Sequence, residues 1–415
     1  MTAKLCWILL LALLLRLGAA FAVQSYLDNV AHRNFLIPGD ANGYWELGQM
    51  LAQGQTFEIF DPPRRIMRMP GFPALLAASI KLGGESLFCA RCLIAFCGTA
   101  ACGMTYGLGR QLFDERVGLV AALLAAISPT FIGFSVEILS ETPFAATLTF
   151  SLILLAKLSQ SKSERPAFRL ALLAGATIAL ATYMRPTWLL VAPAFGLWHA
   201  ARHCRELATL KRSIIESALI AIGCGVLLAP WTIRNWDKAD RHLVPTTLWV
   251  GPSLYDGLHP GATGDSDMQF FEDDRLMANG MSEYEMDREY RRRAWEFAGA
   301  NPMRAIQLGL IKQSRYWNPS LNASQFRHWW LNLPIAGFFA ITLIFAVRNA
   351  WQLRSQATLL LLTMGPLLYF AALHLLFVGS VRYRLPAEYP LLVLSAAGLV
   401  QWRDQRRVVS LPTSE

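Results

Sequence analysis

The sequence predicts an all-α, polytopic membrane protein, and three observations carry that reading. Of 415 residues, 54% are hydrophobic and 16% charged, whereas a soluble domain carries about 25% charged residues. The apolar residues gather into runs of about 17 to 25, the length a helix needs to cross the hydrocarbon of a bilayer. The basic residues sit in short clusters between those runs, the arrangement by which Lys and Arg in short loops set orientation. The same dispersion argues against nucleic acid as a partner, although the net charge is +9.

Ten candidate spans follow: 5–23, 87–108, 117–134, 143–158, 170–183, 188–201, 214–231, 330–347, 357–378 and 386–402. The first resembles a signal peptide, because Lys4 precedes an apolar run. Arg16 interrupts that run, which continues to Val23 without a convincing small-residue cleavage site. It therefore reads as a retained signal-anchor helix with a cytoplasmic N-terminus, in the plasma (inner) membrane. Alternation then sorts Lys4, Arg110, Arg116, Lys157, Lys162, Arg165, Arg202, Arg205, Lys211, Arg212, Arg348, Arg354, Arg403, Arg406 and Arg407 to the cytoplasmic side. The segment 71–82 is apolar but short. If it spanned, every later loop would change sides and the sorting would fail, so it reads as an interfacial or re-entrant helix on the outer face.

By this topology the chain divides into a transmembrane module, 1–231, with a first outer loop at 24–86; an extracytoplasmic region, 232–329; and C-terminal transmembrane helices, 330–415. The second region opens with turn signals at Pro245, Gly251-Pro252, His259-Pro260-Gly261 and Gly264-Asp265. It then becomes helical and charged from Glu272 to Arg293, with opposite charges at helical spacing. Cys89-Ala90-Arg91-Cys92 has metal-like spacing but no second ligand pair, so it reads as structural, and the seven cysteines form no evident disulfide framework. His242 and His259 likewise lack a spaced partner, and metal dependence stays open. Asn322-Ala323-Ser324 fits a glycosylation sequon.

The chemistry-bearing residues lie on the outer side. Asp40 sits in Gly39-Asp40-Ala41-Asn42-Gly43-Tyr44, with Tyr44, Leu47 and Leu51 at helical spacing after it. It reads either as a helix cap or as a general base taking a proton from an attacking hydroxyl or amine. Arg68, before Met69-Pro70-Gly71-Phe72-Pro73, either pairs with a phosphate or reaches lipid headgroups. Glu137 and Glu141 fall in the next outer loop, where a carboxylate costs about 2.5–3.5 kcal/mol if immersed at the bilayer centre. Glu141 reads as functional or as a first-turn helix acid beside Pro143. Arg185, Arg234, Arg382 and Arg384 are kept on this face against the positive-inside trend. They suggest an anionic ligand, or partners for Glu137, Glu141 and headgroups.

In order, Gly39-Asp40 with Tyr44-Trp45, the Arg68 to Pro73 block, Leu139-Ser140-Glu141-Thr142-Pro143-Phe144, Pro230-Trp231-Thr232-Ile233-Arg234-Asn235 and Arg382-Tyr383-Arg384-Leu385-Pro386 resemble the bacterial GT-C glycosyltransferases. The nearest branch is family 39, the protein-mannosyltransferase-like and aminoarabinose-transferase-like group. The resemblance covers nearly the whole chain. It implies a GT-C helix bundle that uses a polyprenyl-phosphate-linked sugar donor and an extracytoplasmic glycan, lipid or protein acceptor, typically with inversion. It implies Asp40 as base or acceptor-positioning group, Glu141 as a second catalytic carboxylate, and Arg68 as holder of the lipid phosphate. Tyr44, Glu137, Arg185, Arg234, Arg382 and Arg384 are then expected to bind substrate. Two departures stand out: Met69-Pro70-Gly71 replaces the Pro-Pro-Gly of many members, and no adjacent Asp-Glu pair follows the first span. The second weakens protein as acceptor. The competing readings are a lipid-linked glycan transporter and a non-catalytic subunit of an envelope-glycan assembly complex.

Overall fold

The computed structural model describes residues 2–322, 326 and 328–409, with the side chains of 407–409 left aside. Two residues of the Asn322-Ala323-Ser324 sequon and the Arg407 side chain therefore lie outside the described residues. The transmembrane part comprises α1 (Ala3–Tyr26), α4 (Leu87–Leu112), α5 (Glu115–Ile127), α6 (Pro129–Phe134), α7 (Glu141–Gln160), α8 (Glu164–Met184), α9 (Val191–Arg202), α10 (Leu207–Lys238), α15 (Trp329–Gln352), α16 (Ala357–Thr363), α17 (Gly365–Leu373) and α18 (Val381–Val409). Between α1 and α4 lie α2 (Asp40–Ala52) and α3 (Gly71–Gly83), and between α10 and α15 lie α11 (Val250–Gly257), α12 (Gln269–Asp274), α13 (Glu283–Ala300) and α14 (Pro302–Tyr316). Among the described residues the one β feature is an isolated bridge between Ile59 and Arg64.

Seven of the ten expected spans lie within a single helix, whereas 117–134, 188–201 and 357–378 are interrupted by non-helical residues. Six helices are long and apolar enough to cross a bilayer as single rods: those over 3–31, 87–112, 141–160, 164–184, 207–238 and 329–352. The expected spans 117–134 and 357–378 are divided, for local reasons, while 386–402 lies within the continuous α18. Pro129 lacks the N–H that would continue α5, and Ser128 instead caps α6 by accepting from the Phe131 N–H. Pro366 opens α17 in the same way after α16. The short helix α3 has 13 residues and is about 20 Å long at 1.5 Å per residue, well under the ~30 Å of hydrocarbon. It buries Phe72, Leu76 and Ile80 against the protein, so it packs between α2 and the bundle.

The break after α5 also explains Arg16. A helix end leaves its last carbonyls without donors. Arg16, fully buried in α1, donates to the carbonyls of Ala125 (3.0 Å) and Ala126 (3.2 Å) in the last turn of α5, and to Ala12 in its own helix (3.1 Å). What reads in sequence as an interruption of a span is the cap of a neighbouring one.

Small residues set the crossing of α8 and α10. A Cβ on Gly175 of α8 would lie 2.1 Å from the Ile220 carbonyl of α10, and one on Gly223 of α10 would lie 2.2 Å from the Leu172 carbonyl of α8. Backbones in contact need glycine on both sides, the small-residue packing common in membranes. Gly223→Ala is expected to lower stability by about 1–3 kcal/mol, as overpacking does. Gly225→Ala, whose Cβ would meet nothing within 4 Å, is its control, and thermal unfolding in detergent compares the two.

The charged run expected from Glu272 to Arg293 is not one helix. Arg275 (φ 48°) and Gly280 (φ 99°) turn the chain between α12 and α13. A capping box, Ser282 with Glu285, then starts α13. Glu289 pairs with Arg292 and Arg293 on its solvent side. Met286, Tyr290 and Ala294 are buried on the other side, packed with α11. The helix is therefore amphipathic rather than solvated all round.

Candidate functional site

One end of the bundle holds a cavity of about 650 Å³. It is walled by the first loop, by the N-terminal end of α7 and the C-terminal end of α8, by the segment 247–272, and by 370–386. The chain therefore contributes to it from each third of its length.

Gly39 starts the site. Its backbone (φ 87°, ψ −97°) is open to glycine and strained for other residues. The turn makes Asp40 the first residue of α2, and its side chain makes no capping bond. The cap reading of Asp40 is thus set aside: the carboxylate points at arginines instead. Asp40 Oδ1 accepts from Arg68 Nη2 at 2.8 Å, and Oδ2 accepts from Arg382 Nη1 at 2.8 Å. Arg382 Nε donates in turn to Glu141 Oε1, which also accepts from Arg185 Nη1 at 2.6 Å. The result is a continuous row of alternating charge, Arg68–Asp40–Arg382–Glu141–Arg185, with three cations to two anions.

Each member is held from behind. Arg68 lies over the Tyr44 ring (4.3 Å to the centroid), and Tyr44 packs edge-on against Phe72 of α3 at 5.0 Å. A Cβ at Gly71 would lie 2.6 Å from the Tyr183 carbonyl, so this glycine lets the start of α3 close onto the end of α8, beside Arg185. Tyr383 faces the cavity, stacked on His374 (4.5 Å, 10°), with Arg185 5.4 Å above its ring. Glu141 is buried at 1% exposure, and its Oε2 has no hydrogen-bond partner. Asp40 keeps a 39% exposed side chain. Burial pushes the Asp40 carboxyl up, but Arg382 and Arg68 outweigh it and hold it far below the usual carboxylate range.

The other expected site residues lie elsewhere. Arg384 is two residues along a helix from Arg382 and so points roughly 200° away from it. It is buried, pairs with Glu388, donates to the carbonyls of Tyr316 (2.7 Å) and Asn318 (3.0 Å), and packs on Phe339. Arg234 donates to the backbone carbonyls of Arg65 (3.0 Å) and Phe57 (3.1 Å), clipping the first loop to α10. Neither lines the cavity. Glu137 is buried behind the site at 8% exposure. Burial raises its carboxyl to about 7, against the pull of Arg91 and Arg382. No group of three or more His, Cys, Asp or Glu residues suited to a metal is found among the described residues.

Residues 63–233 match the family described as dolichyl-phosphate-mannose-protein mannosyltransferase. Oligosaccharyltransferase AglB from the archaeon Archaeoglobus fulgidus, solved with an inhibitory peptide and a dolichol-phosphate, superposes over 99% of this chain and 52% of its own (TM-score 0.50, 14% identity). The same organism's oligosaccharyltransferase tethered to an acceptor peptide superposes over 98% and 50% (TM-score 0.51, 15% identity). This chain has the GT-C glycosyltransferase fold. It spans about half the length of those archaeal GT-C chains. ArnT from Cupriavidus metallidurans bound to undecaprenyl phosphate covers 96% and 79% at a TM-score of 0.45 and 16% identity. No curated protein matches the chain. The GT-C fold and the apolar helices make it a multi-pass membrane protein.

Tyr383 and Arg64 are among the cavity residues that escape a reading of the sequence. Tyr383 stands inside a motif whose arginines draw attention first. Arg64 sits four residues before Arg68 in a proline-flanked loop, with no periodicity to say which way it faces.

Proposed function

We propose that the chain is a membrane glycosyltransferase that moves a sugar from a polyprenyl-phosphate donor to a hydroxyl of an extracytoplasmic acceptor, with inversion. The observation that carries this reading is the row Arg68–Asp40–Arg382–Glu141–Arg185, cationic by one charge and with four of its members lining the cavity, beside an apolar wall that includes Phe144, Phe370 and Leu373. A lipid phosphate needs both surfaces. The dolichol-phosphate named with the archaeal GT-C structure supports the same choice of donor.

In this mechanism the donor phosphate docks on Arg382, Arg185 and Arg68. The acceptor oxygen attacks the anomeric carbon from the face opposite the phosphate, and the carbon–phosphate-oxygen bond breaks. The pair of electrons leaves with the phosphate, whose growing charge the fixed guanidinium groups stabilise. The acceptor proton passes to Asp40. Glu141 touches no substrate; it positions Arg185 and Arg382. Tyr44 supports Arg68 in the same sense. Arg234, Arg384 and Glu137 take structural parts in this proposal, and the regions 1–231, 232–329 and 330–415 act as one unit, since each lends residues to the cavity.

The test is reconstituted protein given a polyprenyl-phosphate-linked sugar and an extract of surface glycans and lipids. Release of polyprenyl phosphate coupled to a new glycosidic bond of inverted configuration is expected. Net movement of intact donor across the bilayer, with no bond formed, would replace the enzyme with a transporter.

A further inference from the structure

Four arginines line the cavity, and three of them are bonded to Asp40 or Glu141. Arg64 is the exception. Among the described residues no carboxylate lies within ion-pair distance of it, although Glu272 on the cavity wall and Glu283 attract it from farther off. Its Nη1 meets only the Met67 sulfur at 4.0 Å, and its Nε is shielded from solvent without a partner. Three aromatic rings hold the guanidinium: Phe271 at 4.2 Å, Phe60 at 4.6 Å and Trp249 at 5.3 Å from their centroids. Rings satisfy the face of a guanidinium but leave its edge, where the N–H donors are, for an anion.

The backbone beneath Arg64 is pinned from three directions. Arg64 and Ile59 exchange both bridge hydrogen bonds, at 2.8 and 3.2 Å. Glu283 of α13 accepts the N–H groups of Arg65 (2.9 Å) and Ile66 (3.0 Å). The Leu248 N–H donates to the Ile66 carbonyl at 2.9 Å. A half-buried cation fixed in direction, with its Nε donor unspent, is preorganised for a ligand in the way a swinging surface arginine is not.

We propose that Arg64 is the anion-recognition point of the acceptor subsite, so that the acceptor carries a phosphate or carboxylate in addition to the hydroxyl that receives the sugar. This rests on the transferase reading. The donor phosphate occupies Arg382, Arg185 and Arg68, the acceptor hydroxyl faces Asp40, and the acid group of the acceptor reaches Arg64 past Met67. Charge on the acceptor then selects it, because a neutral analogue leaves Arg64 without an anion.

The experiment uses the full chain in phosphatidylcholine nanodiscs and three probes, glucose 6-phosphate, glucuronate and glucose, with binding read by saturation-transfer NMR. Undecaprenyl phosphate binding is measured in parallel. At least one anionic probe is expected to bind about tenfold or more tightly than glucose, and the two anions separate a phosphate from a carboxylate preference. Arg64→Gln is expected to bring the anions to within about twofold of glucose while leaving undecaprenyl phosphate binding unchanged; Arg64→Lys keeps part of the preference. Phosphatidylglycerol discs that abolish anionic-probe binding in the parent, but leave the Arg64→Gln protein as it was, identify the anion as a lipid headgroup. Equal binding of glucose and both anions by the parent, or an unchanged preference in folded Arg64→Gln, overturns the proposal. Loss of undecaprenyl phosphate binding in the parent with the Arg64-dependent preference intact overturns the donor assignment and leaves the subsite standing.

Discussion

Arg382→Gln is expected to reduce sugar transfer by at least about 100-fold, the scale seen when one preorganised transition-state donor is removed, and to destabilise the protein by about 3–5 kcal/mol, the scale for breaking a buried pair. Arg382 is the one residue that touches both carboxylates of the row. Without it, Glu141 at 1% exposure keeps a single cationic partner, Arg185. A buried carboxylate that loses a guanidinium loses more than the bond, because its own desolvation is no longer offset. Arg382→Lys keeps the charge but not the fork that reaches Asp40 and Glu141 together, and should fall between parent and glutamine. The double variant Arg382→Gln with Glu141→Gln removes the uncompensated charge. It is expected to recover stability in thermal unfolding while transfer stays lost. Recovery of both would mean that the row is only structural; recovery of neither would mean that the two residues do not act on each other.

Asp40→Asn is expected to lower turnover by about 10²–10⁴-fold, the span of general acid–base catalysis, with little change in donor binding. Its carboxyl is held far below the usual carboxylate range by Arg382 and Arg68, against burial. A carboxylate so paired is a weak base. In the proposed mechanism the bound donor phosphate offsets the charge of Arg382 and Arg68 in place, which raises the base strength of Asp40 and ties it to donor occupancy. The sign for stability follows from the direction of the shift. A depressed carboxyl contributes stability above its unfolded value of about 3.9, and that contribution is lost as pH falls through the lower folded value. Asp40 should therefore add no acid-unfolding limb above about pH 4, and no acid limb to kcat/KM of the free protein in the same range. Folded Asp40→Asn protein that transfers sugar within about threefold of the parent would remove the base from the mechanism.

Both predictions concern residues that the sequence makes visible, and the reason is chemical contrast. A carboxylate or guanidinium next to an apolar run is conspicuous because it is costly there, which is why Asp40, Arg68, Glu141, Arg185 and Arg382 can be singled out one by one. Which of them meet is another matter. Asp40 and Arg382 are separated by 342 positions, and nothing local joins them. Arg234 and Arg384 are as conspicuous as Arg382 in sequence, yet bind backbone carbonyls away from the cavity, because helical rotation and the course of the first loop decide which face each presents. Arg16 was equally visible and equally opaque: the carbonyls it satisfies belong to the end of α5, an end created by Pro129.

The sequence by itself determined that this is a helical membrane protein, which segments are apolar, that 71–82 is a short one among them, and which few charged residues stand where charge is expensive. These are consequences of hydropathy, length and helical period, which are written in consecutive residues. The tertiary structure alone decided that Asp40 is paired rather than capping, that five charges form one row, and that Arg64 is caged by rings from two distant segments. Those facts depend on which helices pack together, and packing is settled by glycine contacts such as Gly175 with Ile220 and Gly223 with Leu172 and by caps between helices, not by any local pattern.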